Sequence, residues 1–166
     1  MKIGLVYYSR TGNTRKVAQL LEEKFKEKKA EVDLIEIEHV KRPGFLKAGK
    51  SGMQQEDLPI KNTSFDLKKY DVIVAGTPTW AGKPAPFVKT FMNKAENING
   101  KKAAIFLTSG GNNEEKRKIT KEILSNDLGK AGLKIVGSAL LLQMKKEKIV
   151  DGEENIDNFV KTVLKK

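Results

Sequence analysis

Cysteine is absent from the 166 residues, and histidine and tryptophan occur once each, as His39 and Trp80. The first absence removes disulfide frameworks, thiolate metal sites and catalytic thiols. One histidine and no cysteine leave no basis for the usual zinc ligand sets. His39, next to a strand end, reads as structural or solvated. Long apolar runs are missing too. No stretch approaches the roughly 20 residues of a membrane-spanning helix. The start, MKIGLVYYSR, has too short an apolar run for a signal peptide. The expectation is a cytoplasmic protein with no membrane partner.

Acidic residues are in deficit, with 21 Asp and Glu against 32 Lys and Arg and a formal charge of +11. That balance favours anionic partners: nucleic acid, acidic proteins or phosphorylated small molecules. Lysine, however, is spread through almost every segment, as in charge-rich surfaces generally. No basic stripe and no basic run interleaved with aromatics appears, so a nucleic-acid-binding module is only a minor alternative.

What the chain does have is periodic. Hydrophobic residues make up 39%, enough for a packed globule that buries roughly two thirds of its unfolded surface. Five short apolar runs stand out: IGLVYY (3–8), VDLIEI (32–37), DVIVAG (71–76), AAIFLT (103–108) and KIVGSALLL (134–142). The second alternates as a half-exposed edge strand does. The others are nearly continuous, as in a parallel sheet covered on both faces. Helical patterns separate them. Residues 14–28 align Val17, Leu20, Leu21 and Phe25, and 86–94 align Phe87, Val88, Phe91 and Met92. Residues 114–128 align Ile119, Ile123, Leu124 and Leu128, and 156–164 align Ile156, Phe159, Val160 and Val163. Strands alternating with helices predict one α/β domain over 1–166, a doubly wound three-layer sandwich. Residues 39–66, polar and carrying Pro43 and Pro59, form a long excursion between the second and third strands.

Within that excursion GFLKAGKS (44–51) matches the spacing G-x-x-x-x-G-K-[ST] of a phosphate-gripping loop. Its context is wrong. The preceding strand ends near Ile37, and Pro59 follows Ser51 too closely for the long helix that should face phosphate. No later strand ends in an Asp that would hold Mg²⁺. The match is read as chance.

Ser9, Arg10, Thr11, Gly12, Asn13 and Thr14 have the context that GFLKAGKS lacks. They follow the first strand at once and open the first helix, where backbone N–H groups and the helix dipole favour an anion. Taken alone, an ordinary capped turn explains them equally well. Two further loops break the tie. After the third strand, GTPTWAGKPAP places Thr77, Pro78, Thr79, Trp80, Ala81 and Gly82 at a strand's carboxyl end. A tryptophan among small and rigid residues is poorly placed for burial and well placed as an aromatic platform. After the fourth strand, Ser109, Gly110, Gly111 and Asn112 suit hydrogen bonding to a planar polar edge. In open parallel sheets, ligands bind at this end.

These segments resemble the flavodoxin family, whose phosphate loop [ST]-x-T-G-x-T matches Ser9, Thr11, Gly12 and Thr14. GTPTWAGKPAPFVKTFM is similar to the second flavin loop and following helix of flavodoxin-like bacterial and archaeal proteins. The resemblance implies a five-stranded parallel sheet of order 2-1-3-4-5, an FMN cofactor, and the three loops as its binding residues. It implies a redox partner protein or a small-molecule electron donor or acceptor. The chain departs from the pattern of electron carriers in two respects. Residues 108–118 contain no aromatic to stack on the flavin, and the charge is basic where carriers are typically acidic. Two readings follow, an electron carrier slightly ahead and a small NAD(P)H- or quinone-linked oxidoreductase close behind. A phosphoacceptor receiver domain, which shares the strand order, needs acidic residues where Tyr8-Ser9 and Gly76-Thr77 stand, and is rejected.

Overall fold

The computed structural model describes residues 1–41, Lys50 and 58–165. The elements run β1 (Lys2–Tyr7), α1 (Asn13–Glu27), β2 (Glu31–Glu36), β3 (Val72–Trp80), β4 (Lys83–Pro84), α2 (Phe87–Lys94) and β5 (Lys102–Ser109). They continue through α3 (Glu114–Lys130), β6 (Lys134–Ile135), β7 (Leu140–Lys145), β8 (Lys148–Asp151) and α4 (Ile156–Leu164). The sheet order is β2-β1-β3-β5-β7-β8. All pairings as far as β7 are parallel. Counted in the five runs of the sequence, this is the expected 2-1-3-4-5.

The near-continuous runs have a direct cause. Successive side chains on a strand point to opposite faces, and here both faces are covered. Ile3, Leu5 and Tyr7 of β1 join the core beneath α1 and α4, with Val17, Leu21, Phe25, Phe159 and Val160. Val6 and Tyr8 join the opposite core, with Phe87, Val88, Phe91 and Leu124 of α2 and α3. Strand β2, at the edge, buries Val32 and only half-covers the residues after it, as its alternation requires.

The structure departs from the sequence reading in four places. The fifth run is not one strand. Residues 136–139 leave the ladder between β6 and β7, and Gly137 takes a left-handed φ of 67°. Strand β7 then runs on to Lys145 and turns back as β8, an antiparallel edge the five-strand expectation lacked. Strand β3 does not stop at Gly76. It continues to Trp80, turns through Ala81 and Gly82, both at positive φ, and pairs with β4. The buried face of α3 carries Arg117, Thr120, Leu124 and Leu128, and Ile119 is exposed. The polar side chains Arg117 and Thr120 masked that face in the hydrophobic pattern.

The described part of the long excursion is anchored at both ends. His39 bridges Ile60, Asp66 bridges Glu96, and the Asn62 side chain donates to Glu36 O and accepts from Glu38 N. Apart from Lys50, GFLKAGKS lies outside the described residues. Among the described residues no helix is long and apolar enough to cross a membrane.

Gly76 is required by close approach. A Cβ there would overlap the Phe106 ring, coming within 2.7 Å of Cε2 and nearer to two other ring atoms. Phe106 is fully buried in the centre of the sheet, so its ring has nowhere to retreat. Overpacking of this kind costs about 1–3 kcal/mol. Gly76→Ala should therefore lower the urea midpoint without changing the slope, and an unshifted midpoint would refute the packing described.

Candidate functional site

The three candidate loops meet at the carboxyl ends of β1, β3 and β5. Parallel pairing brings them there: Tyr8 N donates to Gly76 O at 3.1 Å, and Pro78 stands opposite Thr108. A buried bond between Thr14 Oγ1 and Thr108 Oγ1, 2.8 Å long, ties the head of α1 to the end of β5. Both hydroxyls are almost fully buried, so Thr14 serves the frame with its side chain.

The Ser9–Gly12 turn closes by a hydrogen bond from Gly12 N to Ser9 Oγ, 3.2 Å. Gly12 has φ 97° and caps α1 without any side-chain hydrogen bond, and the first turn of α1 contains no acidic residue. The N-terminal peptide groups of a 15-residue helix therefore have no acidic partner from their own helix. Thr11 is exposed at the rim and Arg10 is half-buried. The Asn13 amide oxygen accepts from Glu147 N at 2.9 Å, which pins the β7–β8 turn against the loop.

The second loop is more ordered than its composition indicates. Thr77, fully buried, accepts from Ala85 N at 3.0 Å and so fastens the β3–β4 hairpin. Trp80 is half-buried in a strand. It meets Tyr8 edge-on at 5.6 Å between ring centroids and Phe87 at 6.1 Å, while Tyr8 stacks on Phe87 at 4.2 Å. The tryptophan is thus held in an aromatic cluster rather than standing free in a loop. Thr79 Oγ1 is buried and, among the described residues, has no hydrogen-bond partner. Pro78 is half-buried, Ala81 is exposed at the turn, and Gly82 lies against Lys116.

In the third loop Ser109 Oγ donates to Gly111 O at 3.1 Å, and Gly110, Gly111 and Asn112 are exposed. A Cβ on Gly110 or Gly111 would meet nothing within 4 Å. Asn113 caps α3 by accepting from Lys116 N at 2.8 Å, an assignment the Asn-Glu-Glu sequence makes legible. Arg117 was not singled out from sequence. It is buried, bonds Asp151 at 2.9 Å, and keeps a buried Nε without a partner among the described residues.

A cleft of about 550 Å³ opens beside the first loop, lined by Ser9 to Gly12 together with Arg15, Glu36, Glu38, His39, Lys61 and Glu147. It lies toward the end of β2, and Trp80 is not part of its lining. Arg15 grips Glu36 through two bonds, 2.9 Å from Nε and 2.6 Å from Nη2. Tyr7 OH donates to the same carboxylate at 3.2 Å. Nothing in the sequence pattern pointed to this group, because its members come from β1, α1 and β2.

The donors of the first loop, the left-handed glycine and the orphaned Thr79 hydroxyl suit a ligand with a phosphate and a polar planar ring. Comparison with known proteins agrees. Residues 1–140 match the family model described as NADPH-dependent FMN reductase. The chain belongs to that family. A curated NAD(P)H dehydrogenase (quinone) from Methylocella silvestris is 30% identical over 142 residues, covering 82% of this chain and 70% of the relative. One of the same name from Brucella anthropi is 32% identical over 105 residues, covering 63% of this chain and 52% of the relative, so the chain spans about half of that protein's length. Among solved structures, a flavoprotein from Lactobacillus acidophilus in complex with FMN superposes with a TM-score of 0.71 at 23% identity, covering 95% of this chain and 97% of the other. Oxidised flavodoxin 2 from Bacillus cereus gives a TM-score of 0.66 at 22% identity, covering 98% and 97%. The flavodoxin-like fold and the FMN cofactor expected from the sequence hold for this FMN reductase family member, a flavodoxin-like redox protein.

Burial, and then the Glu36 charge, push the Tyr7 phenol up to about 12. A raised phenol favours folding while it is protonated. Its contribution is complete below the ordinary value of about 10 and disappears as pH climbs through 12. In a spectrophotometric titration of the folded protein, the Tyr7 phenol should ionise well above the ordinary tyrosine range. Glu36→Gln should lower its midpoint, and an unchanged midpoint would show that Glu36 plays no part.

Proposed function

We propose that this chain is an FMN-dependent oxidoreductase that draws electrons from a reduced nicotinamide nucleotide and delivers them to a small acceptor of the quinone class. The family and the two quinone dehydrogenase relatives support the reading. One observation in the chain itself carries it. The third loop is open at Gly110 and Gly111, and no aromatic occurs between residues 108 and 118. That loop has no aromatic side chain with which to stack on a bound ring, which would leave the ring face open to a nicotinamide or quinone.

Ser9, Thr11, Gly12 and the first peptide groups of α1 would hold the phosphate, because hydroxyl and N–H donors at a helix N-terminus suit an anion. Pro78, Thr79 and Trp80 would lie along the ring. Ser109 to Asn112 would offer peptide and amide groups to its polar edge. FMN, when bound, would supply the hydride and electron chemistry, so the protein need supply no redox group of its own. What the chain contributes is orientation and a rigid frame: the Thr14–Thr108 bond and the Thr77–Ala85 bond hold the three loops in register.

The electron-carrier reading draws support from the likeness to flavodoxins, which at 22% identity speaks for the fold alone. Steady-state assays separate the two. Oxidation of NADPH or NADH by the FMN-loaded protein with a water-soluble quinone, two electrons per turnover, is expected. Absence of nicotinamide oxidation, with reduction only by a partner protein, would give the carrier reading instead.

Hydrogen bonds to a charged phosphate contribute about 1.5–3 kcal/mol each, so Thr11→Ala should weaken FMN binding about ten- to a hundredfold. Lys50→Ala should leave it unchanged. Fluorescence titration checks both, and an unweakened Thr11→Ala would remove the first loop from the site.

A further inference from the structure

The tip of the β7–β8 hairpin reaches across to the phosphate loop. Lys145 pairs with Lys148, and the two residues between them, Lys146 and Glu147, take φ values of 49° and 61°. Such a turn, with both central residues left-handed, normally selects Asn and Gly. Here a lysine and a glutamate adopt it. The conformation has a consequence for the loop: Glu147 N donates to Asn13 Oδ1 at 2.9 Å, and the Glu147 side chain lies over Gly12. A Cβ built on Gly12 would come within 3.0 Å of Glu147 Cδ and nearer still to Oε1. A carboxylate from residue 147 thus stands beside Gly12, where the first turn of α1 has no acidic residue of its own.

We infer that Glu147 is an internal anion that competes with the FMN phosphate for the loop at the head of α1. This rests on the reading that the 9–14 loop holds that phosphate. A carboxylate at a helix N-terminus is favoured for the same reason as a phosphate, and the two cannot share one set of donors without repulsion. Glu147 and residues 9–12 line the same cleft, which gives the side chain space to withdraw. Arg10, Arg15, His39 and Lys61 face that cleft, along with Glu36 and Glu38. The competition makes FMN a displaceable ligand, held less tightly than the loop alone would hold it. Riboflavin, which has no phosphate, is indifferent to Glu147.

The test uses the full chain freed of flavin and titrated with FMN or riboflavin by flavin fluorescence. Glu147→Gln keeps the size and the backbone bond but removes the charge, and should tighten FMN about tenfold or more while leaving riboflavin within about twofold. Glu153→Gln removes an equal charge from residue 153, which lines a neighbouring groove with Lys148 but not the cleft at the 9–12 loop, and should change FMN affinity by less than about twofold. Unchanged or weaker FMN binding by Glu147→Gln overturns the inference. So does equal tightening by Glu153→Gln, or equal tightening toward riboflavin. A second measurement needs no variant: FMN, and not riboflavin, should speed amide hydrogen exchange at residues 146–148, and unchanged exchange overturns the inference as well. Failure of the loop reading has its own signature, an FMN affinity that Thr11→Ala does not alter.

Discussion

Burial of β1, β3 and β5 on both faces is the constraint from which the rest of the structure follows. Helices α1 and α4 cover one side and α2 and α3 the other. A strand covered in this way has no surface on which to place a polar ligand, and its peptide groups are already paired with neighbouring strands. Only where the strands end do free N–H and C=O groups, hydroxyls and glycines become available. The candidate site is therefore at the carboxyl ends. Loss of a large central side chain would cost about 3–5 kcal/mol, and its effect would reach the site through the same strands.

The loops are held there by a small number of buried polar bonds. Thr14 and Thr108 use hydroxyls that are each other's buried partner, and Thr77 accepts from the Ala85 peptide, which also donates to Pro78 O. These residues belong to the family-like motifs, yet the structure employs their side chains as fasteners. Thr11 and Gly110 to Asn112 stay exposed at that end, with Gly12 partly so. Trp80 stands between the two roles, packed edge-on against Tyr8 and Phe87 with part of its surface open.

Charge is arranged locally rather than by the net value of +11. At the mouth of the cleft, Arg15 is committed to Glu36, and Glu36 also receives the Tyr7 hydroxyl. The Glu147 carboxylate lies beside Gly12 at the head of α1. Charges separated by more than about 8 Å are largely screened at physiological salt, so these close groups set the field at the loop.

Periodicity alone determined the five runs, their alternation with helices and the doubly wound class, because a strand buried on two faces must be apolar at nearly every position. The Ser9–Thr14 motif was legible because strand, turn residues and helix are consecutive in the chain. Tertiary structure decided what sequence spacing cannot encode. The course of β3 beyond Gly76 depends on a return strand, and the edge at β8 on a turn of Lys146 and Glu147 whose residue types give no turn signal. The buried face of α3 includes Arg117, which becomes placeable only beside Asp151. Glu147 meets Gly12 across a separation in sequence that no local pattern can bridge. Contacts of that kind arise when independent elements are packed together, and their energetics belong to the packed chain.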